Sequence, residues 1–394
     1  MKKVIEVLIF TLLFGFSGSF GQIAIIGEKV YTMAGGPISD GVVLVKNSKV
    51  EKVGTAAEIE IPADYTVIKG KIVTPGLIDA HSVVGLAGIY NQKHDQDQLE
   101  LSDPVQPELR ALDAFNPKDE LVAWLNSFGV TTINTGHAPG ALSSGQSLIV
   151  KTTGQFEDAI INRTSAVTFS LGADVSKQFK SPGTRPKGVA MLRTAFVSAQ
   201  NYRKKKEKGN VAKNLKHEIL LDVLNKKIPA IITANTAVDI LSALRLADEF
   251  GFELILDGAA EAYLTIDRIK AAGVPVILHP QMARTKNISF ETAKLLAEND
   301  ILFAIQGGYE SYVPKTRNVL FEAAIAVANG LDYEKGLECI TLAPAKILKI
   351  DNRVGSLEKG KDADLVVFDG DPFEYTTHVC KVIINGNILR SECK

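Results

Sequence analysis

The stretch TPGLIDAHSVVG, Thr74 to Gly85, decides how the rest of the chain is read. Thr74-Pro75-Gly76 is a turn signal, and the apolar run that follows reads as a buried strand. A strand ending in His-x-His would hold a divalent metal, because imidazole is a good ligand for such ions. His81 stands at the first of these places and Val83 at the second. Valine has no donor atom. The stretch therefore poses a question: is this a variant metal site, or a lost one?

Working outward, apolar strands alternate with helical patterns. VTTINTGH, AVTFSLGAD, IPAIITANT, FELILDGA, VPVILHPQ and ILFAIQGG read as strands. PKDELVAWLNSFG, VDILSALRLADEFG and AYLTIDRIKAAG read as helices with glycine stops. This βαβ repetition, with near-continuous Val/Ile/Leu strands, predicts a parallel sheet covered on both faces. At this length a closed (β/α)8 barrel is the natural solution. An open doubly wound sheet competes, but no Gly-x-Gly-x-x-Gly follows a strand. SLIVKTTG and DAIINRTS, within 146–174, look like a hairpin instead of a βα unit. Lys151, on that hairpin, reads as a strand lysine snorkelling to solvent.

Both ends are β-rich. Residues 23–73 and the last forty carry short strands and turns, including Asn385-Gly386, a hairpin signal. They could form two caps or one shared sheet. Lys2 and Lys3, an apolar run from Val4 to Phe16 and small residues up to Gly21 read as a signal peptide over 1–21. The expected location is exported, periplasmic or secreted, with no membrane span after cleavage. A net charge of −1 gives no reason to expect nucleic acid. The basic run NYRKKKEKGN reads as a solvated helix end. Three cysteines are too few for a disulfide scaffold. Cys380 and Cys393 could pair, or Cys339 and Cys380 could be buried small hydrophobes.

With these segments in place, the chain resembles the amidohydrolase superfamily, in particular its exported imidazolonepropionase-like branch. IVTPGLIDAHS, SDPVQPELRALDAFNP, GVTTINTG, SGQSLIVKTTG, ITLAPAKILKI and VGSLEKGKDADLVVFDGDP carry the likeness. The resemblance implies an α/β fold, a TIM-like (β/α)8 barrel over 74–353. Beside it would lie a small composite β-sandwich from 22–73 and 354–394. It also implies a divalent metal at the barrel mouth, hydrolysing C–N bonds in amides, cyclic amides or dipeptides. The ligands would be His-x-His, a Glu or modified Lys, two later His and an Asp that also serves as base. Only His81 matches. Val83, Ala173, Thr233 or Asn235, Asp257-Gly258-Ala259 and Gly308 stand at the other places.

The expectation is a degenerate site, with no cofactor and a role in binding or partnering. Such a protein would take a small molecule or peptide, form homo-oligomers or pair with an active relative. The alternative is an active C–N hydrolase with a remodelled centre, holding zinc or another divalent metal on His81, His137 and His279, each ending a strand. Candidates at the mouth are His81, His137, Asp174, Asn235, Asp257, His279, Arg284 and Gln306. Asp103 and Arg110 would shape the pocket or tie loops together.

Overall fold

The computed structural model describes residues 22–90, 92–209, 211–279, 288–309 and 318–393. The leader read in 1–21 and Arg284 lie outside the described residues. The chain opens with Ile23–Val30 (β1), Ile38–Lys46 (β2), Lys49–Thr55 (β3) and Thr66–Pro75 (β4). Eight strands of a second sheet follow: Leu77–Ser82 (β5), Val130–Thr135 (β6), Ser143–Lys151 (β7), Ile160–Ser170 (β8), Ala230–Ala234 (β9), Leu254–Gly258 (β10), Val276–Leu278 (β11) and Phe303–Ile305 (β12). Leu365–Phe368 (β13), Val379–Ile384 (β14) and Asn387–Arg390 (β15) then rejoin the first sheet, in the order β15-β14-β13-β4-β1-β2-β3. The two β-rich ends are thus one seven-stranded sheet, with β13 running antiparallel to β4.

The second sheet runs in sequence order from β5 to β12. It departs from eight parallel strands at one place, where β7 is antiparallel to both β6 and β8. The hairpin signal in 146–174 is this departure. β5 and β12 are not paired as strands. The gap is bridged by chain from beyond β12: Ile305 N donates to Cys339 O at 3.0 Å and Ile78 N to Ile340 O at 2.8 Å. A side chain adds to the closure, as Gly307 N donates to Asp79 Oδ1 at 3.1 Å.

Local signals set the helix ends. Thr236 caps Ala237–Phe250 by accepting from Asp239 N, and Gly251 ends it in the left-handed region with φ 69°. A Cβ on Gly251 would meet nothing within 4 Å, so backbone conformation alone selects glycine there. No helix among the described residues is long and apolar enough to cross a membrane.

Lys151 corrects its sequence reading. Its side chain is 1% exposed and does not reach solvent. Its ammonium lies 2.7 Å from Asp362 Oδ2 and 3.1 Å from Asp364 Oδ1, and also meets Asn385 Oδ1. The barrel hairpin is thereby tied to the end sheet, where an apolar β7 face leaves the amine no path outward.

Candidate functional site

Side chains alternate along a strand, so each face carries every second residue. Ala80, Ala166, Ile231, Ile255, Ile277 and Ala304 form one apolar layer within the barrel. Two residues further along their strands, Thr168, Thr233, Asp257, His279 and Gln306 make a polar layer, all buried. This layer is the mouth at the C-terminal ends of the strands, where barrel chemistry is housed.

Asp257 is its centre. Thr233 Oγ1 donates to Oδ2 at 2.6 Å and Gln306 Nε2 donates to Oδ1 at 2.6 Å. His81 Nδ1 lies 3.0 Å from the same Oδ1, with both side chains almost wholly buried. The other His81 nitrogen, Nε2, is 3.4 Å from His137 O. Burial opposes charge on His81, but the Asp257 carboxylate beside it more than offsets this and raises its pKa. Asp79, two residues before His81, accepts from Gly307 N and, at 3.3 Å, from His81 N. Burial pushes its carboxyl up to about 7, against the pull of those two backbone donors.

His137 and His279 are at the mouth but do not complete a ligand set with His81. Among the described residues, no three His, Cys, Asp or Glu ligand atoms at the mouth lie within 4.8 Å of one another. His137 has neither ring nitrogen hydrogen-bonded, and burial lowers its pKa to about 4. Its ring is pressed on Gly145, where a Cβ would come within 2.6 Å of Nε2. His279 packs against Tyr309 with tilted rings, 4.6 Å between centroids, and His81 meets the same ring at 5.2 Å. Val83 is buried with Ala87 and Ala138, against Leu99 and Tyr309. Val83 is thus part of an apolar wall.

Asn235 lies just beyond β9, its Oδ1 unpartnered and 2.5 Å from where a Cβ on Gly258 would sit. Gln306 Oε1 is also unpartnered. Asp174 corrects the sequence list: it opens the short helix Ala173–Gln178, half exposed, 3.4 Å from Lys177. The helix begins right after β8 and carries its side chain away from the polar layer. Asp103 and Arg110 tie loops, Asp103 Oδ1 accepting from Val105 N and Arg110 pairing with Asp113. Sequence reasoning missed Asp79 and Tyr309. Asp79 had a signal, the i, i+2 spacing to His81 on one strand; Tyr309 had none.

A divalent metal needs about three converged protein ligands with an open position. The described mouth residues do not fit one: His81 faces Asp257 at 3.0 Å, and His137, His279 and Asp79 do not converge with that pair into a set of three ligands.

The fold has parallels in known proteins. A family model described as "Amidohydrolase family" matches residues 225–389. The amidohydrolase tasK of Hapsidospora irregularis is 24% identical over 88% of this chain, which spans 39% of that protein's length. The imidazolonepropionase of Thermoplasma volcanium is 21% identical, over 91% of this chain and 92% of its own. Among solved structures, an adenosine deaminase from Xanthomonas campestris with bound zinc has a TM-score of 0.56 at 16% identity, over 94% of this chain and 93% of its own, a likeness of fold alone. An amidohydrolase from Thermotoga maritima MSB8 superposes with a TM-score of 0.88 at 31% identity, over 94% of this chain and all of that one. Barrel, end sheet and matched residues together place this chain in the amidohydrolase family, whose members hydrolyse carbon–nitrogen bonds and usually depend on a metal.

Proposed function

We propose that this chain is an exported amidohydrolase-like protein whose inherited metal centre is degenerate and whose mouth binds a small molecule or peptide. One observation carries the reading. His81, the surviving ligand-type residue, is neutralised by Asp257, which Thr233 and Gln306 hold in place. A metal ligating His81 would have to displace a proton that the Asp257 carboxylate helps to hold on the imidazole. Ligand binding is supported by buried polar atoms left without partners: both His137 nitrogens, Asn235 Oδ1 and Gln306 Oε1. Buried polar groups are nearly always hydrogen-bonded, so a cluster of exceptions at a barrel mouth suits a ligand that pairs them. Export rests on the leader read in residues 1–21. The Cys380–Cys393 disulfide suits an oxidising compartment. Homo-oligomers, or pairing with an active relative, remain part of this reading.

The test joins elemental analysis to a hydrolase screen. The mature protein, purified without chelator, is expected to hold much less than one equivalent of Zn, Mn, Fe or Ni at the mouth. It should also not turn over amides, lactams, cyclic ureides or Xaa-Pro dipeptides with added Zn²⁺, Mn²⁺ or Co²⁺. One tight equivalent released by His81→Ala or His279→Ala, or turnover well above background, would overturn the reading in favour of an active, remodelled centre.

A further inference from the structure

Far from the mouth, at the edge of the end sheet, four chemistry-bearing side chains meet. Phe368, the last residue of β13, faces Val379 of β14, while Val367 faces Lys381. Cys380 is therefore the extra residue of a β-bulge, a device that re-aims a side chain. One step beyond Phe368, Asp369 faces His378 across the strand pair. His378 donates its backbone N–H to Asp369 Oδ1 at 2.7 Å, and its ring Nδ1 lies 2.9 Å from Oδ2. Cys393, exposed just after β15, is disulfide-bonded to Cys380. A carboxylate oxygen of Asp369 and the two sulfurs all lie within 4.8 Å of one another, the one such ligand group among the described residues.

We infer that Asp369, Cys380 and Cys393 form a redox-gated site for a thiophilic divalent cation such as Zn²⁺, with His378 orienting the carboxylate. Two thiolates and a carboxylate supply three protein ligands, and water the fourth. The disulfide consumes both thiolates, so the oxidised chain cannot hold the ion. Opening it takes two electrons and two protons. A dithiol supplies both and becomes the disulfide. A phosphine supplies the electrons and becomes the phosphine oxide, with one water giving its oxygen and the two protons. The S–S bond breaks and two thiols form. The cation then replaces both thiol protons, which go to solvent. His378 gives the carboxylate the kind of outer hydrogen bonding that fixes metal ligands, so its loss weakens binding about 10–100-fold. Nothing in this site draws on the residues of the barrel mouth.

The test titrates the full chain with Co²⁺ alone and Zn²⁺ alone, before and after reduction by tris(carboxyethyl)phosphine. Reduced wild type should bind one Co²⁺ with a sulfur-to-cobalt charge-transfer band and tetrahedral ligand-field absorption. Oxidised protein should show neither. Cys380→Ser and Cys393→Ser should abolish the band, Asp369→Asn should weaken binding at least about 10-fold, and Cys339→Ser and His81→Ala should leave it. In wild type, Zn²⁺ should protect two thiols from alkylation, a readout that does not depend on any variant folding. No band and no protection in the reduced protein, or a band that survives in Cys393→Ser, would overturn the inference. Because His81→Ala leaves the band, failure here is separate from failure of the mouth reading.

Discussion

Among the described residues, the buried charges at the seam and at the mouth are built differently. At the seam between barrel and end sheet, the three N–H donors of Lys151 meet three acceptors, on Asp362, Asp364 and Asn385. Arg353 and Lys49 reach Asp362 from the outside. At the mouth, Asp257 is well held, but His137, Asn235 and Gln306 each keep an unpartnered atom. At the seam one carboxylate oxygen, Asp364 Oδ2, also lacks a hydrogen bond, but it lies 3.0 Å from the Lys151 ammonium, so its charge is matched within the cluster. At the mouth the unpartnered atoms are neutral amide and imidazole atoms with no such charge match.

The largest effect should come from breaking the seam. Lys151→Met leaves Asp364 buried without its cation and Asp362 with only Lys49 and Arg353, and should cost about 3–5 kcal/mol, read from the urea midpoint. The same variant should alter the acid limb. Burial pushes the Asp362 carboxyl up, but Lys151 and its other cationic neighbours more than offset this and hold it down at about 2. A depressed carboxyl stabilises the fold above its unfolded value of about 4 and loses that contribution as pH falls toward about 2. In Lys151→Met most of this acid dependence should disappear. If the variant costs no more than a surface change, the contrast between the clusters fails.

Asp79 should show the opposite sign. Its pKa rises from about 4 in the unfolded chain to about 7 in the fold. Its contribution is therefore complete below about pH 4 and lost as pH climbs to about 7. Asp79→Asn should flatten this slope, removing a change of order 4 kcal/mol between those limits. Denaturation curves at a series of pH values decide it; an unchanged slope would place the titrating group elsewhere.

Asp257→Asn probes the mouth more gently, because the amide can keep a bond to Thr233. A loss of about 1–3 kcal/mol is expected from disturbing its buried partners. The sharper readout is His81: without the carboxylate, burial alone should carry its pKa below the ordinary value, measured by NMR titration of the imidazole. A His81 that still titrates high would mean that Asp79, not Asp257, supports its charge. The smallest effect should be Asp174→Ala, within about 0.5 kcal/mol, since its side chain is half exposed and pairs only with Lys177 among the contacts described.

Much of the fold was legible from residue patterns. The apolar runs placed β6 and β8 to β12, glycines such as Gly251 and Gly273 marked helix ends by their left-handed backbone, and the hairpin signal in 146–174 marked antiparallel β7. These are local properties: period, turn chemistry and backbone freedom act within a few residues. The substitution of Val83 for a donor was equally plain, because valine lacks donor atoms in any fold.

What only the tertiary structure decided is which distant residues meet. Lys151 looked like a lysine bound for solvent until residues more than two hundred positions later closed over it. Asp257 and His81 come from β10 and β5, and nothing in either strand alone states a 3.0 Å approach. That distance follows from strand register and from a barrel whose polar layer stands two residues above its apolar one. The bulge at Cys380 likewise depends on a slip between β13 and β14. Sequence by itself indicated most of the elements and the family likeness; packing settled the pairs, because a contact between far-apart residues is a property of the closed sheet and of no single segment.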